Sequence, residues 1–317
     1  MKILGIGESV VDNVYRIEGE VPVNFNPNGL HSEKHVGGPV LTAMIVLSRL
    51  GIDCTYMTSV GRDADAELIH SLMKHEKVRL LPKYQHKTKI NTIVINKKTG
   101  QRVKLRGSIK HDSIKDLTRN FLHQFDLIII DRHEQHAFYE ILKKKKASTK
   151  IVIDPSTEIS KFTLDMIKHA DYPIIPIEAV TPTYTGSLEK IDHVLKRLYE
   201  WTNKPLIITA GDMGSFVYNG ETAELLPPLS VTTIDTTGAG DIYRGAFAYG
   251  IIQGWNLKKT ARFSNIVAAL QCKRLGNAAA IPTKEEIMQH HDKLLGGKTL
   301  TSCTLNNIYL CLFASKI

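Results

Sequence analysis

Short runs of apolar, β-branched residues alternate with longer stretches of helical periodicity along this chain, and that alternation limits the folds open to it. The runs include Ile3–Ile6, Leu127–Ile130, Ile151–Ile153, Ile174-Ile175 and Leu206–Ile208. Between them the spacing predicts helices over Leu41–Leu50, Ala64–Lys74, Ala137–Lys145, Leu164–His169, Leu188–Trp201, Ile242–Ile252 and Leu257–Arg274. Strand and helix in turn imply an α/β fold, a mostly parallel sheet with helices on both faces. Such sheets place their sites at the carboxyl ends of the strands. Polar residues follow the runs directly there: Asp131-Arg-His133, Asp154 and Thr209.

Two segments break the rhythm. Val14–His35 holds Pro22, Pro27 and several Asn and Gly residues with no helical period. Lys87–Arg106 alternates like a strand, through Ile90, Thr92, Val94, Val103 and Leu105, around the turn Lys97-Lys-Thr-Gly100. Together they are expected to form a small antiparallel β lid beside the main sheet, with lid segments at about 14–35 and 87–106. Residues 1–292 read as one domain, and residues 293–317 as a C-terminal tail that fits neither pattern.

Several function classes drop out on composition. No stretch reaches the roughly 20 apolar residues that cross a bilayer, and Met1–Gly7 reads as a first strand, not a signal peptide. Cys54, Cys272, Cys303 and Cys311 form no Cys-x-x-Cys pair, which argues against a zinc site or a disulfide framework and suits a reducing cytoplasm. The net charge of +9 invites a nucleic-acid reading. Its densest run, Lys143–Lys146, instead follows the helical pattern around Phe138–Leu142, where cations suit the end of a helix. No nucleic acid or membrane partner is expected.

The most informative segment is Asp235-Thr-Thr-Gly-Ala-Gly-Asp241, followed at once by a helical pattern. Gly238, Ala239 and Gly240 carry almost no side chain, so their amides can approach an anion closely. At a helix N-terminus those amides make an anion hole for charge building on a transferring phosphoryl group. Asp241 sits beside it, able to take a proton from an attacking hydroxyl. The plainer alternative makes Gly238–Gly240 a tight turn and Asp241 a helix-capping acid.

The segment resembles the C-terminal signature of the ribokinase (PfkB) family of carbohydrate kinases. Val36-Gly-Gly-Pro39 through Arg49-Leu-Gly51 is similar to the family's N-terminal signature, and Val60-Gly-Arg-Asp63 to its Val-Gly-x-Asp element. Gly7–Asp12, Thr209–Gly214 and Ala278–Pro282 extend the resemblance from about residue 3 to about residue 290. It implies a ribokinase-like, Rossmann-like kinase domain with a β lid, using ATP and Mg2+. It also implies Asp241 as base, Gly238–Gly240 as anion hole, and Asp12, Gly37, Gly38 and Thr42 on the sugar. Thr209, Gly211, Gly214 and Asn265 would line the nucleotide site. Asp235 and Thr237 fall where members often hold a monovalent cation such as K+, and a homodimer through the lid is compatible with the family. The acceptor would be a small-molecule sugar.

Departures stand beside the resemblance. Thr42 replaces an Asn that usually reaches the sugar, and Ala66 falls near a usual Gly. The usual Asn-x-x-Glu reads Ile177 and Val180, leaving Glu178 as the nearby carboxylate for the magnesium shell. These changes look most like the branch with sulfofructose and related ketose kinases, which would want a cation such as Arg132, His133 or Lys34 near the sugar tail. The alternatives are a non-catalytic relative acting as a regulatory or interaction protein, or a kinase for a nucleoside or sugar phosphate. A dinucleotide enzyme is disfavoured because Val10 stands at the third glycine of Gly5-x-Gly7, and a P-loop because Asp292 stands at the first glycine before Gly297-Lys-Thr299.

Overall fold

The computed structural model describes residues 1–296 apart from 22–24, 29, 100–101, 110, 181–187, 222 and 277. Most of the C-terminal tail, with Cys303 and Cys311, lies outside the described residues. The main sheet has nine strands: β1 (Ile3–Ile6), β4 (Cys54–Val60), β5 (Arg79–Tyr84), β8 (Leu127–Asp131), β9 (Lys150–Asp154), β10 (Tyr172–Pro176), β11 (Leu206–Thr209), β12 (Ser215–Tyr218) and β13 (Ala223–Leu226). Their order is β13-β12-β11-β10-β9-β8-β1-β4-β5. Pairing is parallel from β5 through β11, and antiparallel where β12 and β13 close the edge.

The helices are α1 (Pro39–Arg49), α2 (Ala64–His75), α3 (Arg119–Leu122), α4 (Gln135–Lys144), α5 (Lys161–His169), α6 (Ile177–Val180), α7 (Leu188–Thr202), α8 (Ala239–Ile252), α9 (Leu257–Gln271) and α10 (Lys284–Gly296). Because strand side chains alternate between faces, the sheet carries two cores. Ile3, Ile129, Val152, Ile174 and Ile207 pack with residues of α1, α8 and α9. Leu4, Ile128, Ile130, Ile153 and Ile208 pack with residues of α4, α5 and α7 on the other face. Each fully buried Leu or Ile contributes about 1.5–3 kcal/mol, which explains why these runs are apolar throughout.

Small residues let α8 settle on α1: a Cβ at Gly245 would stand 2.7 Å from the Ala43 carbonyl oxygen. At the end of α4 the lysine run is solvated and paired, Lys144 with Glu140 at 2.6 Å and Lys146 with Asp126 at 2.9 Å.

A second, four-stranded sheet, ordered β3-β2-β6-β7, comprises β2 (Val10–Ile17), β3 (Ser32–Gly37), β6 (Ile90–Asn96) and β7 (Arg102–Arg106). It is mixed where an antiparallel lid was expected, because β2 and β6 pair in parallel, Asp12 opposite Asn91. The chain order explains this: β2 follows β1 and β6 follows β5, so both leave the carboxyl ends of parallel strands in the same direction. Asp63 anchors the entry to β6. Its carboxylate caps α2 through the Ala66 amide at 2.9 Å and accepts from the Thr88 hydroxyl at 2.6 Å and amide at 2.8 Å.

Candidate active site

Between the carboxyl ends of the main strands and the lid lies a cleft of about 230 Å3. Its walls bring together residues far apart in sequence: Asp12 and Lys104 from the lid, Gly37 and Gly38 before α1, Asp154 at the end of β9, and Thr237, Gly238 and Asp241 at the start of α8. Thr42 is not in that lining; its side chain is fully buried within α1. Lys34 is also elsewhere, ion-paired with Asp65 at 2.6 Å, whereas Arg132 and His133 do line the cleft.

The Gly-rich turn enters α8 earlier than the sequence pattern suggested. Gly238 is the N-cap, in the left-handed conformation at φ 80°, so Ala239, Gly240 and Asp241 form the first helical turn. The Gly240 and Asp241 amides are therefore among the N–H groups a helix leaves unpaired at its start. A Cβ on Gly240 would meet nothing nearer than Arg244 at 3.6 Å, which leaves the approach to these amides open. The helix dipole adds positive potential at the same place.

Asp241 does not stand alone. Arg244, one helical turn on and 7% exposed, forks between two carboxylates: Asp241 at 2.7 Å and Asp154 at 2.8 Å. Asp154 is fixed in turn by the Ser156 amide at 2.8 Å, with Ser156 at a left-handed φ of 60°. Burial pushes the Asp241 carboxyl up to about 6, against the pull of the Arg244 guanidinium and with the help of the Asp154 charge. The base candidate thus titrates close to neutrality, where proton acceptance is most useful.

On the lid side, Asp12 accepts from the Asn91 side-chain amide at 2.7 Å, and Lys104 approaches the same oxygen at 3.8 Å. Gly38 sits at φ 142°, where a Cβ would come within 2.2 Å of the Glu8 carbonyl oxygen. Backbone of the β1–β2 turn and the α1 N-terminus therefore meet in direct contact. Asp131 organises the floor, accepting the Glu8 and His133 amides, each at 2.9 Å. Burial and the Glu134 carboxylate push the Asp131 carboxyl up to about 8.

The residues proposed for a nucleotide gather at the other side of α8. Thr209 ends β11, and Gly211 and Gly214 take positive φ in the turn to β12. A Cβ on Gly214 would stand 2.1 Å from the Leu226 carbonyl oxygen. That same carbonyl accepts from the buried Asn265 amide at 2.8 Å, so Asn265 ties α9 to the edge strand. Asp235 is bound on both oxygens: Oδ1 accepts from the Thr237 amide and hydroxyl of its own turn, and Oδ2 from the Gly276 amide in the loop after α9.

Among the described residues no three His, Cys, Asp or Glu side chains form a metal cage. Glu178 is exposed on α6, after β10. This donor set fits Mg2+ carried mainly by phosphate oxygens and water, the usual arrangement for that ion.

Sequence reasoning missed Lys89, Lys104, Arg106 and Arg244. Arg244 had one available signal, its i+3 spacing from Asp241 on a predicted helix. The lid cations alternate on β7, which places Lys104 and Arg106 on one face.

Residues 2–284 match the family model of the pfkB family carbohydrate kinases. A provisionally named sugar kinase of Pyrococcus horikoshii is 26% identical over 313 residues, covering 92% of this chain and 96% of that one. An ATP-dependent 6-phosphofructokinase of Thermoanaerobacterium thermosaccharolyticum is 25% identical over 307 residues, covering 92% of this chain and 94% of that one. The structure of Arabidopsis thaliana ribokinase complexed with ribose and ATP is similar in fold, with a TM-score of 0.80 at 16% identity, covering 91% of this chain and 98% of that one. No helix among the described residues is long and apolar enough to cross a membrane.

Proposed function

The chain belongs to the pfkB family of carbohydrate kinases, and from that premise we propose that it transfers the γ-phosphoryl group of ATP to a hydroxyl of a small sugar. The observation that carries this reading is Asp241 in the first turn of α8, on the same cleft as Asp12 of the lid. Asp12 and the backbone at Gly37 and Gly38 hold the sugar, with one hydroxyl directed at Asp241. Asp241 accepts that hydroxyl's proton as the oxygen attacks phosphorus. The Gly238–Gly240 turn and the α8 N-terminus stabilise charge on the transferring group. Thr209, Gly211, Gly214 and Asn265 border the nucleotide. Mg2+, when bound with ATP, neutralises phosphate charge, and Glu178 is the carboxylate nearest in sequence to the family's usual position for handling it.

A sugar phosphate is the second reading for the acceptor, favoured by Lys104 and Arg106 of the lid on the cleft wall. The test is ATP consumption by the purified protein against sugars, sugar phosphates and nucleosides. Turnover with one of these classes is expected. No turnover with any acceptor would favour a non-catalytic relative instead.

The position of Asp241 also sets a pH dependence. The base works only when ionised, so kcat/KM should fall as pH drops through about 6. Replacing Arg244 with Gln removes the cation that favours the ionised form, so the acid limb should rise by about 1–3 pH units. A limb that stays in place in the Gln variant would show that Arg244 does not tune the base.

A further inference from the structure

The turn that precedes the anion hole contains a ring of carbonyl oxygens with a side chain at its centre. Gln271, in the last turn of α9, is fully buried. Its Nε2 donates to the Thr237 carbonyl at 3.1 Å, the Gly276 carbonyl at 3.3 Å and, more weakly, the Asp235 carbonyl at 3.5 Å. Two of these oxygens, those of Asp235 and Thr237, belong to the segment where the resemblance implies a monovalent cation. A hard cation such as K+ is held by this kind of group, several carbonyl oxygens converging on one point. Here the point is occupied by the positive end of a carboxamide, with two N–H groups to share.

The side chain of Asp235 is committed as well. Oδ1 takes the Thr237 amide at 2.9 Å and hydroxyl at 2.6 Å, and Oδ2 takes the Gly276 amide at 3.1 Å. The Ile234 and Asp235 amides both reach the Cys272 carbonyl, at 2.7 Å and 3.2 Å, so the whole turn is sewn to the end of α9. A cation entering the ring would have to displace the Gln271 amide and leave it buried without partners, which is costly. The donor set therefore does not fit a resident cation.

We propose that the Gln271 carboxamide stands in for the monovalent cation, so that the turn carrying Gly238 and Asp241 is ordered without one. The proposal goes beyond the phosphoryl-transfer reading and does not depend on which acceptor the protein uses. It makes this chain a kinase whose stability and turnover are indifferent to K+. The order of the turn comes from a covalently attached group at fixed stoichiometry.

The test is thermal unfolding of the ligand-free full chain, with choline chloride replaced by KCl or NaCl up to about 0.1 M at constant ionic strength. The wild-type midpoint should move by less than about 1 °C. Gln271→Ala removes the amide and leaves the carbonyl ring open. That variant should unfold at a lower temperature in choline and regain part of the loss in K+. Gln271→Glu places a carboxylate among carbonyl oxygens and should depend on K+ more strongly. A wild-type midpoint that climbs with K+ would overturn the proposal, as would an Ala variant that keeps its stability, or that loses it and regains none in K+. Should neither variant fold, the wild-type titration still decides. Turnover measured in the same salts separates this inference from the functional reading. Absence of turnover with a flat midpoint would count against the kinase and leave the role of Gln271 standing.

Discussion

Asp241→Asn is expected to lower turnover by about 100-fold or more while leaving ATP affinity within a few-fold of wild type. The substitution is nearly isosteric. Its Oδ1 can still accept from Arg244, which sits 2.7 Å from the Asp241 carboxylate in the present structure. Arg244 also keeps its second partner, Asp154, at 2.8 Å, so no buried cation is stranded. What the amide cannot do is take a proton from the acceptor hydroxyl. The proposed anion hole is backbone at Gly238–Gly240 and should survive, so nucleotide binding and catalysis should separate in this variant. Equal loss of ATP binding and turnover would point to a collapsed turn, and near-full turnover would remove Asp241 from the role of base.

Gly38→Ala is the second large effect, and it acts through the backbone. At φ 142° any L side chain is strained, and the new Cβ would lie 2.2 Å from the Glu8 carbonyl oxygen. Neither group is the free end of a flexible side chain, so α1 and the β1–β2 turn must move apart. That should cost about 2–4 kcal/mol, read as a lower urea midpoint. The same movement displaces the cleft wall between Glu8 and Gly38, so the acceptor KM should rise in whatever fraction folds. Gly254→Ala is the control: its φ of 68° is also positive, but nothing lies within 4 Å of the added Cβ. It should cost only the conformational term, about 1 kcal/mol. Equal losses in the two variants would mean that close approach at Gly38 contributes nothing.

The parallel core was legible because its strands are buried on both faces. Leu127–Ile130 and Ile151–Ile153 have no polar interruption, and each gave its strand directly. β4 was harder to see: Thr55, Thr58 and Ser59 are buried polar residues, which break the apolar run without breaking the strand. The antiparallel edge strands β12 and β13 carry Ser215 and Glu224, so neither reads as an uninterrupted apolar run. At α8 the glycines hid the helix start, since their low propensity disguised Ala239 and Gly240 as part of the turn.

Within the cleft, the residues readable in the sequence are those whose chemistry depends on neighbours in the chain. The Asp235–Asp241 turn is of that kind, as is the Gly37-Gly38 entry to α1. The Arg244 fork and the Gln271 ring are of the other kind. Each joins groups on separate elements, α8 to β9 in one case and α9 to two loops in the other. Their meaning lies in three-dimensional placement, and a one-dimensional pattern shows only an arginine and a glutamine on helices. Lys34 illustrates the converse. It reads as a lid cation near the sugar, yet β3 turns it toward Asp65 on α2.

The most direct measurement of the central claim is the identity of the phosphorus product. The purified protein, ATP and the acceptor that supports turnover would be followed by 31P NMR. One new phosphomonoester resonance should appear for each ADP formed, and the Asp241→Asn variant should produce it at a rate lower by about 100-fold or more. Inorganic phosphate as the sole new species, or a phosphomonoester formed equally fast by the Asn variant, would contradict the account.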